Sequence, residues 1–303
     1  MAAQSKESAA ELQEQSSSTT FNILLAAVFL DVFCSCTTDP LRPSLLNGMG
    51  FSTSAISSVL ARMTAAGATS EFILNPLCGR LSDKYGRKTF LVGGLLGSAI
   101  ANLASFLPLL LGRQPSLSLL IFERCMRTAA DTVVFTNVRA SMSDFLAGAE
   151  LTISASRVAM AAGVGVLLGP AFSTRLIVPL LNQPLLMQGI NVGLLSLAAA
   201  FVAAKLRETL PEEKRIPMDW SRANPLSFIK LLSASRTMFW WMTASCLQTF
   251  IDGRNILGRW IIARLPMCSI CLLADPAFRT AESNFVYLES QLNFDRQALA
   301  DYQ

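Results

Sequence analysis

The chain contains no histidine. That single absence removes imidazole metal ligands, a Ser-His-Asp triad and any histidine proton relay. Charge is scarce as well. Only 15% of the 303 residues are Asp, Glu, Lys or Arg, whereas soluble domains carry about 25%. No G-x-x-x-x-G-K-[ST] loop is present, so nothing points to coupling by ATP. Cysteines are few and dispersed. Cys34, Cys36, Cys78, Cys125 and Cys246 lie in or beside apolar runs and read as small buried hydrophobes. Cys268 and Cys271 have redox or metal spacing, but no second pair accompanies them. These absences leave no expected cofactor, metal or enzymatic centre. The net charge of +4 is mild, and no nucleic-acid partner is expected.

What remains is apolar and bunched. Hydrophobic residues make up 52% of the chain, and the mean hydropathy is +0.44. Apolar runs of roughly 18 residues or more match the bilayer core when helical. Six such spans can be drawn, over 21–38, 54–77, 89–111, 117–142, 151–179 and 185–206. Residues 1–20 are polar, lack the layout of a cleaved signal, and read as a disordered tail. Residues 207–236 are too polar to span and read as a linker with an interfacial helix over 225–232. A seventh apolar run covers 237–251, and the remainder to 303 is atypical.

The fold class this predicts is all-α, a polytopic membrane helical bundle. Loop charges orient it. Arg80, Lys84, Arg87 and Lys88 follow span two, Arg139 follows span four, and a basic group follows span six. The positive-inside rule then places these loops and the N-terminus in the cytosol. Gly93, Gly94 and Gly97, with Gly163, Gly165 and Gly169, supply the small surfaces by which helices approach in lipid.

Ionisable residues inside the spans stand out. Asp31 lies in span one, Glu71 in span two, and Glu123, Arg124, Arg127 and Asp131 in span four. Each costs about 2.5–3.5 kcal/mol at a bilayer centre on insertion scales. Glu123–Arg127 and Arg127–Asp131 are i,i+4 pairs that can neutralise one another. Two readings stand side by side. These charges are structural ion pairs, or Asp31, Glu71, Arg124 and Asp131 line a polar path for a solute or proton.

Between spans two and three lies "GRLSDKYGRK". It is similar to the signature loop of the major facilitator superfamily, G-x-L-x-D-[RK]-x-G-[RK]-[RK]. Gly79, Leu81, Asp83, Lys84, Gly86, Arg87 and Lys88 fill its fixed positions. "LLIFERCMRTAAD" resembles the family's fourth-helix motif, with Arg124 as its arginine and with Arg127 and Thr128 in place of Gln and Gly. "GVGVLLGPAF" resembles the fifth-helix antiporter motif: Gly165, Gly169 and Pro170 fit, and Ser173 and Thr174 replace its last glycines. "RETLPEEKR" looks like the Pro-Glu stretch after helix six, and "NPLSFIKLL" resembles the linker to helix seven in drug/proton-antiporter-like and tetracycline-exporter-like members. Together these cover about residues 20 to 235.

The resemblance implies one six-helix half, built as a 3+3 inverted repeat, plus a seventh helix. It implies that Asp83, Arg87 and an acid at the end of helix four, for which Asp144 is the candidate, form a charge cluster that latches the outward-facing state. Gly86 is expected to close the loop by a left-handed turn, and Gly79 to permit close helix approach. The implied activity is secondary active transport of a small organic solute, proton-coupled, by alternating access. A complete member has twelve spans, so the chain reads as an incomplete transporter. The alternative is a non-transporting half that acts as a homodimer, a regulatory subunit or a decayed product. Residues 256–283 fit no part of the family pattern and read as a retained intron, a gene-model error or genuine lineage-specific sequence.

Overall fold

A computed structural model describes residues 2–113, 115–177 and 185–215, with five further positions between 236 and 243. Those five are helical. The interfacial helix expected at 225–232, most of the seventh span, Cys268, Cys271 and the atypical stretch 256–283 lie outside the described residues.

Among the described residues the structure is helical throughout, with no strand. Lipid gives backbone groups no partner, so each segment must satisfy its own. Helix α1 runs Ala2–Thr38, followed by a 3-10 turn over Asp39–Leu41 and the short α2, Arg42–Gly48. Then come α3 (Thr53–Tyr85), α4 (Arg87–Leu110), α5 (Leu117–Phe145), α6 (Gly148–Ala171) and α7 (Leu185–Lys205). The helical start at Ala2 differs from the disordered tail expected over 1–20. Ala, Glu, Gln and Leu there are good helix formers, and the span that follows supplies the nucleus on which they extend.

Helix ends follow local chemistry. Ser116 caps α5 by accepting from the Leu119 amide at 3.3 Å. Past Pro170, α6 widens into a π-helical segment over Phe172–Ile177. The Ser173 and Thr174 hydroxyls there donate to the Pro170 carbonyl at 3.2 and 2.7 Å.

Among the described residues, four helices are long and apolar enough to cross a membrane: Ser18–Gly48, Arg87–Pro108, Gly148–Arg175 and Leu186–Lys205. Helices α3 and α5, at 33 and 29 residues, have the length but carry more polar residues. They pack against each other. Helix α4 packs on both α5 and α7, α3 packs on α5, and α6 packs on α1. The main apolar core joins Leu24, Val28 and Val32 of α1 to Leu91 and Leu95 of α4, Val134 and Val138 of α5, and Leu195 of α7. A smaller cluster of Leu46, Ile56, Leu60, Met63 and Leu120 closes the α2 end.

The glycines of α6 set its distance from α1. A Cβ on Gly169 would stand 2.8 Å from the Cys36 Cβ and 2.9 Å from the Phe33 carbonyl oxygen. One on Gly165 would lie 3.1 Å from the Phe33 nitrogen. The α6 backbone therefore lies directly on the α1 backbone, as small-residue packing in lipid requires.

Candidate functional site

Two charge clusters occupy the bundle. The first surrounds the α3–α4 turn. Gly86 ends α3 with φ 102° and ψ 148°. This is an extended conformation at positive φ, open to glycine, rather than the left-handed turn expected from sequence. A Cβ there would also stand 2.5 Å from the Glu208 Oε2. The space that glycine leaves admits Glu208, from the segment after α7. Its carboxylate accepts from the Arg87 amide at 2.8 Å and the Lys88 amide at 3.3 Å. These are free N–H groups at the start of α4, where a negative charge also complements the helix dipole.

The Arg87 side chain gathers the rest. Its Nη1 lies 2.6 Å from the Asp83 Oδ1 and donates to the Ser82 Oγ at 2.9 Å. Its Nε donates to the Asp144 Oδ2 at 3.3 Å, and the Thr209 hydroxyl donates to the same oxygen at 3.3 Å. The structure thus brings Asp83, Arg87 and Asp144 together and ties α3, α4, α5 and the post-α7 segment at one point. Lys84 is exposed, with Nζ 4.8 Å from the centre of the Tyr85 ring. Nothing lies within 4 Å of a Cβ position on Gly79, so the close approach expected there is not made among the described residues.

The second cluster is buried between α1, α2 and α5. Arg42 reaches the Asp39 Oδ1 at 2.6 Å and the Glu123 Oε1 at 3.2 Å. Arg124 also reaches the Asp39 Oδ1, at 3.1 Å. Glu123 thus turns to Arg42 on another helix, where sequence spacing suggested Arg127. Deeper in, the Arg127 Nε lies 3.8 Å from the Asp131 Oδ1, and Ser35 donates to the Asp131 Oδ2 at 3.0 Å. Arg127 is 1% exposed, and its three guanidinium nitrogens make no hydrogen bond among the described residues. Asp31 is fully buried in α1 and accepts from the Ser98 hydroxyl at 3.0 Å. Next to it, Asn191 of α7 donates to the Thr37 Oγ1 at 2.8 Å and the Cys34 carbonyl at 3.1 Å.

Of the residues expected to line a path, Asp31, Arg124 and Asp131 are buried inside the half. Glu71 is exposed on α3. Asp39, Arg42, Asn191 and Glu208 escaped the sequence reading. Asp39 and Arg42 sit three apart, each immediately before a proline, Pro40 and Pro43, a spacing that signals a short helical turn with facing charges. Glu208 lay within the "RETLPEEKR" stretch without a partner to identify it.

A sequence profile described as Major Facilitator Superfamily matches residues 23–261. The chain belongs to that superfamily. The match makes it an integral membrane protein and aligns it with transport proteins rather than enzymes. Multidrug resistance protein 2 of Bacillus subtilis is 25% identical over 217 residues, covering 72% of this chain and 51% of that protein. The class C tetracycline resistance protein of Escherichia coli is 27% identical over 242 residues, covering 79% of this chain and 57% of its own length. The chain therefore spans little more than half the length of these curated relatives. Among solved structures, the human organic anion transporter MFSD10 superposes with a TM-score of 0.66 at 16% identity, over 94% of this chain and 68% of that one. The POT family transporter PepTSo superposes with a TM-score of 0.54 at 10% identity, over 93% of this chain and 56% of that one. At such identities the likeness shows the superfamily fold.

Proposed function

We propose that this superfamily member takes part in secondary active transport of a small organic solute, coupled to protons, by alternating access. One observation carries the coupling. Asp31, Asp39, Glu123 and Asp131 are buried on the α1–α2–α5 side with Arg42, Arg124 and Arg127. Ionisable groups inside a membrane bundle are rare and mark solute and proton paths. A carboxylate held there is suited to exchanging a proton as its surroundings open and close. The drug, tetracycline and organic-anion relatives support an organic solute as cargo. In this reading the N-terminus and the 79–88 loop face the cytosol, and the Asp83–Arg87–Asp144 cluster holds the loop side closed in one state.

The test is solute-driven proton flux in vesicles that contain the full chain and a trapped pH-sensitive dye. Drugs, tetracyclines and organic anions are added in turn. An active solute should move protons, and Asp31→Asn and Asp131→Asn should each reduce that movement at least about tenfold. Solute movement that ignores an imposed pH difference would reject the coupling.

A second reading is a half that acts as a homodimer. It is favoured by the apolar face of α6, where Ile153, Met160 and Leu167 are all more than half exposed. Crosslinked dimers in membranes, carrying the proton flux, would select it.

A further inference from the structure

The interface of α1, α4 and α7 changes character at Asp31. Toward the face that carries the α3–α4 turn it is apolar, with Leu24 and Val28 of α1, Leu91 and Leu95 of α4, and Ala199 and Val202 of α7. Toward the opposite face it is polar. Thr37 of α1, Ser98, Asn102 and Ser105 of α4, and Gln188 and Asn191 of α7 lie there, none more than 2% exposed. Spacings of three and four put these residues on one face of each helix.

The seam is bonded from Asp31 outward. Ser98 donates to the Asp31 Oδ1 at 3.0 Å, and Asn102 donates to the Ser98 carbonyl at 2.8 Å. Asn191 is the hub. It donates to the Thr37 Oγ1 at 2.8 Å and the Cys34 carbonyl at 3.1 Å, and its Nδ2 lies 3.5 Å from the Asn102 Oδ1. The next turn is different. The Ser105 Oγ and the Gln188 Oε1 are buried with no hydrogen-bond partner among the described residues. They stand three residues beyond Asn102 and Asn191 on antiparallel helices, so they lie at one depth. Gln188 is one turn from the start of α7 at Leu185, which brings the seam within about 5 Å of that helix end. Buried polar atoms that the protein leaves unpaired are where ordered water is held.

We propose that Asp31 exchanges its proton with the face opposite the α3–α4 turn, along this seam, through water held at Ser105 and Gln188. The Asp31 carboxyl gives its proton to a hydroxyl or water oxygen beside it, that oxygen passes one on, and only O–H bonds break and form. Ser98, Asn102 and Asn191 are positioning residues that orient the relay. The apolar packing of Leu24, Val28, Leu91 and Leu95 closes the other direction. Other charges bear on Asp31 from α5 alone. Asp131 and Arg127 reach this part of α1 through Ser35, and Cys34 lies on α1 itself. Helix α4 has no ionisable residue after Lys88, and α7 has none before Lys205. Glu150, Arg157 and Arg175, on α6 and just after it, are exposed, and Asp39 and Arg42 pair with each other. The inference rests on the proton coupling proposed above and adds the side from which the proton comes.

The test is the sidedness of Asp31 protonation, read without any solute. The full chain is placed in sealed vesicles, with its orientation scored by trypsin access at Lys84. Dicyclohexylcarbodiimide, which adds to protonated carboxyl groups, is applied briefly, and peptide mass spectrometry scores Asp31. Lowering the pH by one unit on the face opposite the turn should raise labelling at least about threefold. The same change on the turn's face should leave it unaltered. Labelling that follows the turn's face, or neither face, would overturn the proposal. The double variant Ser105→Ala/Gln188→Leu removes the two water-holding atoms and should slow the response about tenfold. Its unfolding temperature should be unchanged or higher, since no protein partner is lost. A response as fast as that of the unaltered chain would overturn the role of these two residues. Failure of the coupling has another signature: Asp31 then titrates from the expected face, yet no solute moves protons.

Discussion

The two charge clusters are built by opposite rules. At the α3–α4 turn, Arg87 shares its guanidinium among Ser82, Asp83 and Asp144, while Glu208 satisfies two helix-end amides. Asp83 there keeps 27% of its side chain exposed. In the interior, the Arg127 guanidinium faces Asp131 across 3.8 Å with no hydrogen bond of its own among the described residues. Charges near water lose little when separated, about 0–1 kcal/mol for an exposed pair. A buried charge deprived of its partner costs about 3–5 kcal/mol. The turn cluster joins the ends of four segments, whereas the interior array lies between packed helices. In the proposed cycle, movement is gated at the turn and a proton is exchanged inside.

The sharpest way to break the contrast is at Arg127. Arg127→Met leaves Asp131 buried opposite a thioether. The expected loss is about 3–5 kcal/mol, visible as a large fall in the apparent Tm of the detergent-solubilised chain. The double variant Arg127→Met/Asp131→Leu removes both charges and should recover most of that loss. Its proton flux should stay low, because the array then has fewer groups to titrate. If the single variant matches the unaltered chain in stability, the pair is not the desolvated charge it is taken for.

A smaller effect is expected where α6 holds the wall that carries Asp31. Gly169→Ala pushes a methyl into the Cys36 Cβ and the Phe33 carbonyl, and backbone cannot step aside as a flexible side chain can. Overpacking of this kind costs about 1–3 kcal/mol. Gly163 is six residues away on the same helix, and a Cβ there meets open space. Gly163→Ala should be neutral or slightly stabilising. Unfolding of the two variants under one set of conditions measures how firmly the interior cluster is clamped. Equal effects would mean that α6 is free to shift and that the clamp is loose.

How much of this was legible in the sequence depended on the range of the interaction. The helices follow from apolar runs, and the α3–α4 turn from a short motif whose residues meet within a few positions. Asp83, in the last turn of α3, and Arg87, the first residue of α4, are four apart and meet across Gly86. Asp144 was reachable because an acid was expected at the end of the fourth span. Glu208 was not, since it meets Arg87 across 121 residues and nothing local marks it. The same limit explains Glu123. Its i,i+4 neighbour Arg127 was the visible partner, but the helical turn through Pro40 and Pro43 delivers Arg42 instead. Gly79 and Gly86 shared a motif yet differ in place. Gly86 is required by its φ and by Glu208, whereas Gly79 faces open space. Glu71 looked like a path residue because it lies within a span, and only the packing shows that its side of α3 is uncovered in this half.

The mildest perturbation probes the turn cluster alone. Glu208→Gln keeps the shape and one carbonyl acceptor but removes the negative charge from the start of α4. The expected cost is about 1 kcal/mol or less, from a weaker charge-assisted cap and a lost dipole interaction. Hydrogen exchange is the right readout, because local opening at a helix end is governed by local stability. Amides of Arg87 and Lys88 should exchange about fivefold faster, which is the factor that 1 kcal/mol corresponds to. Amides of α5 around Arg127 should not change, since no contact links Glu208 to them. If they do speed up, the two clusters are mechanically coupled through Asp144 and α5, and opening the turn would itself alter the buried array.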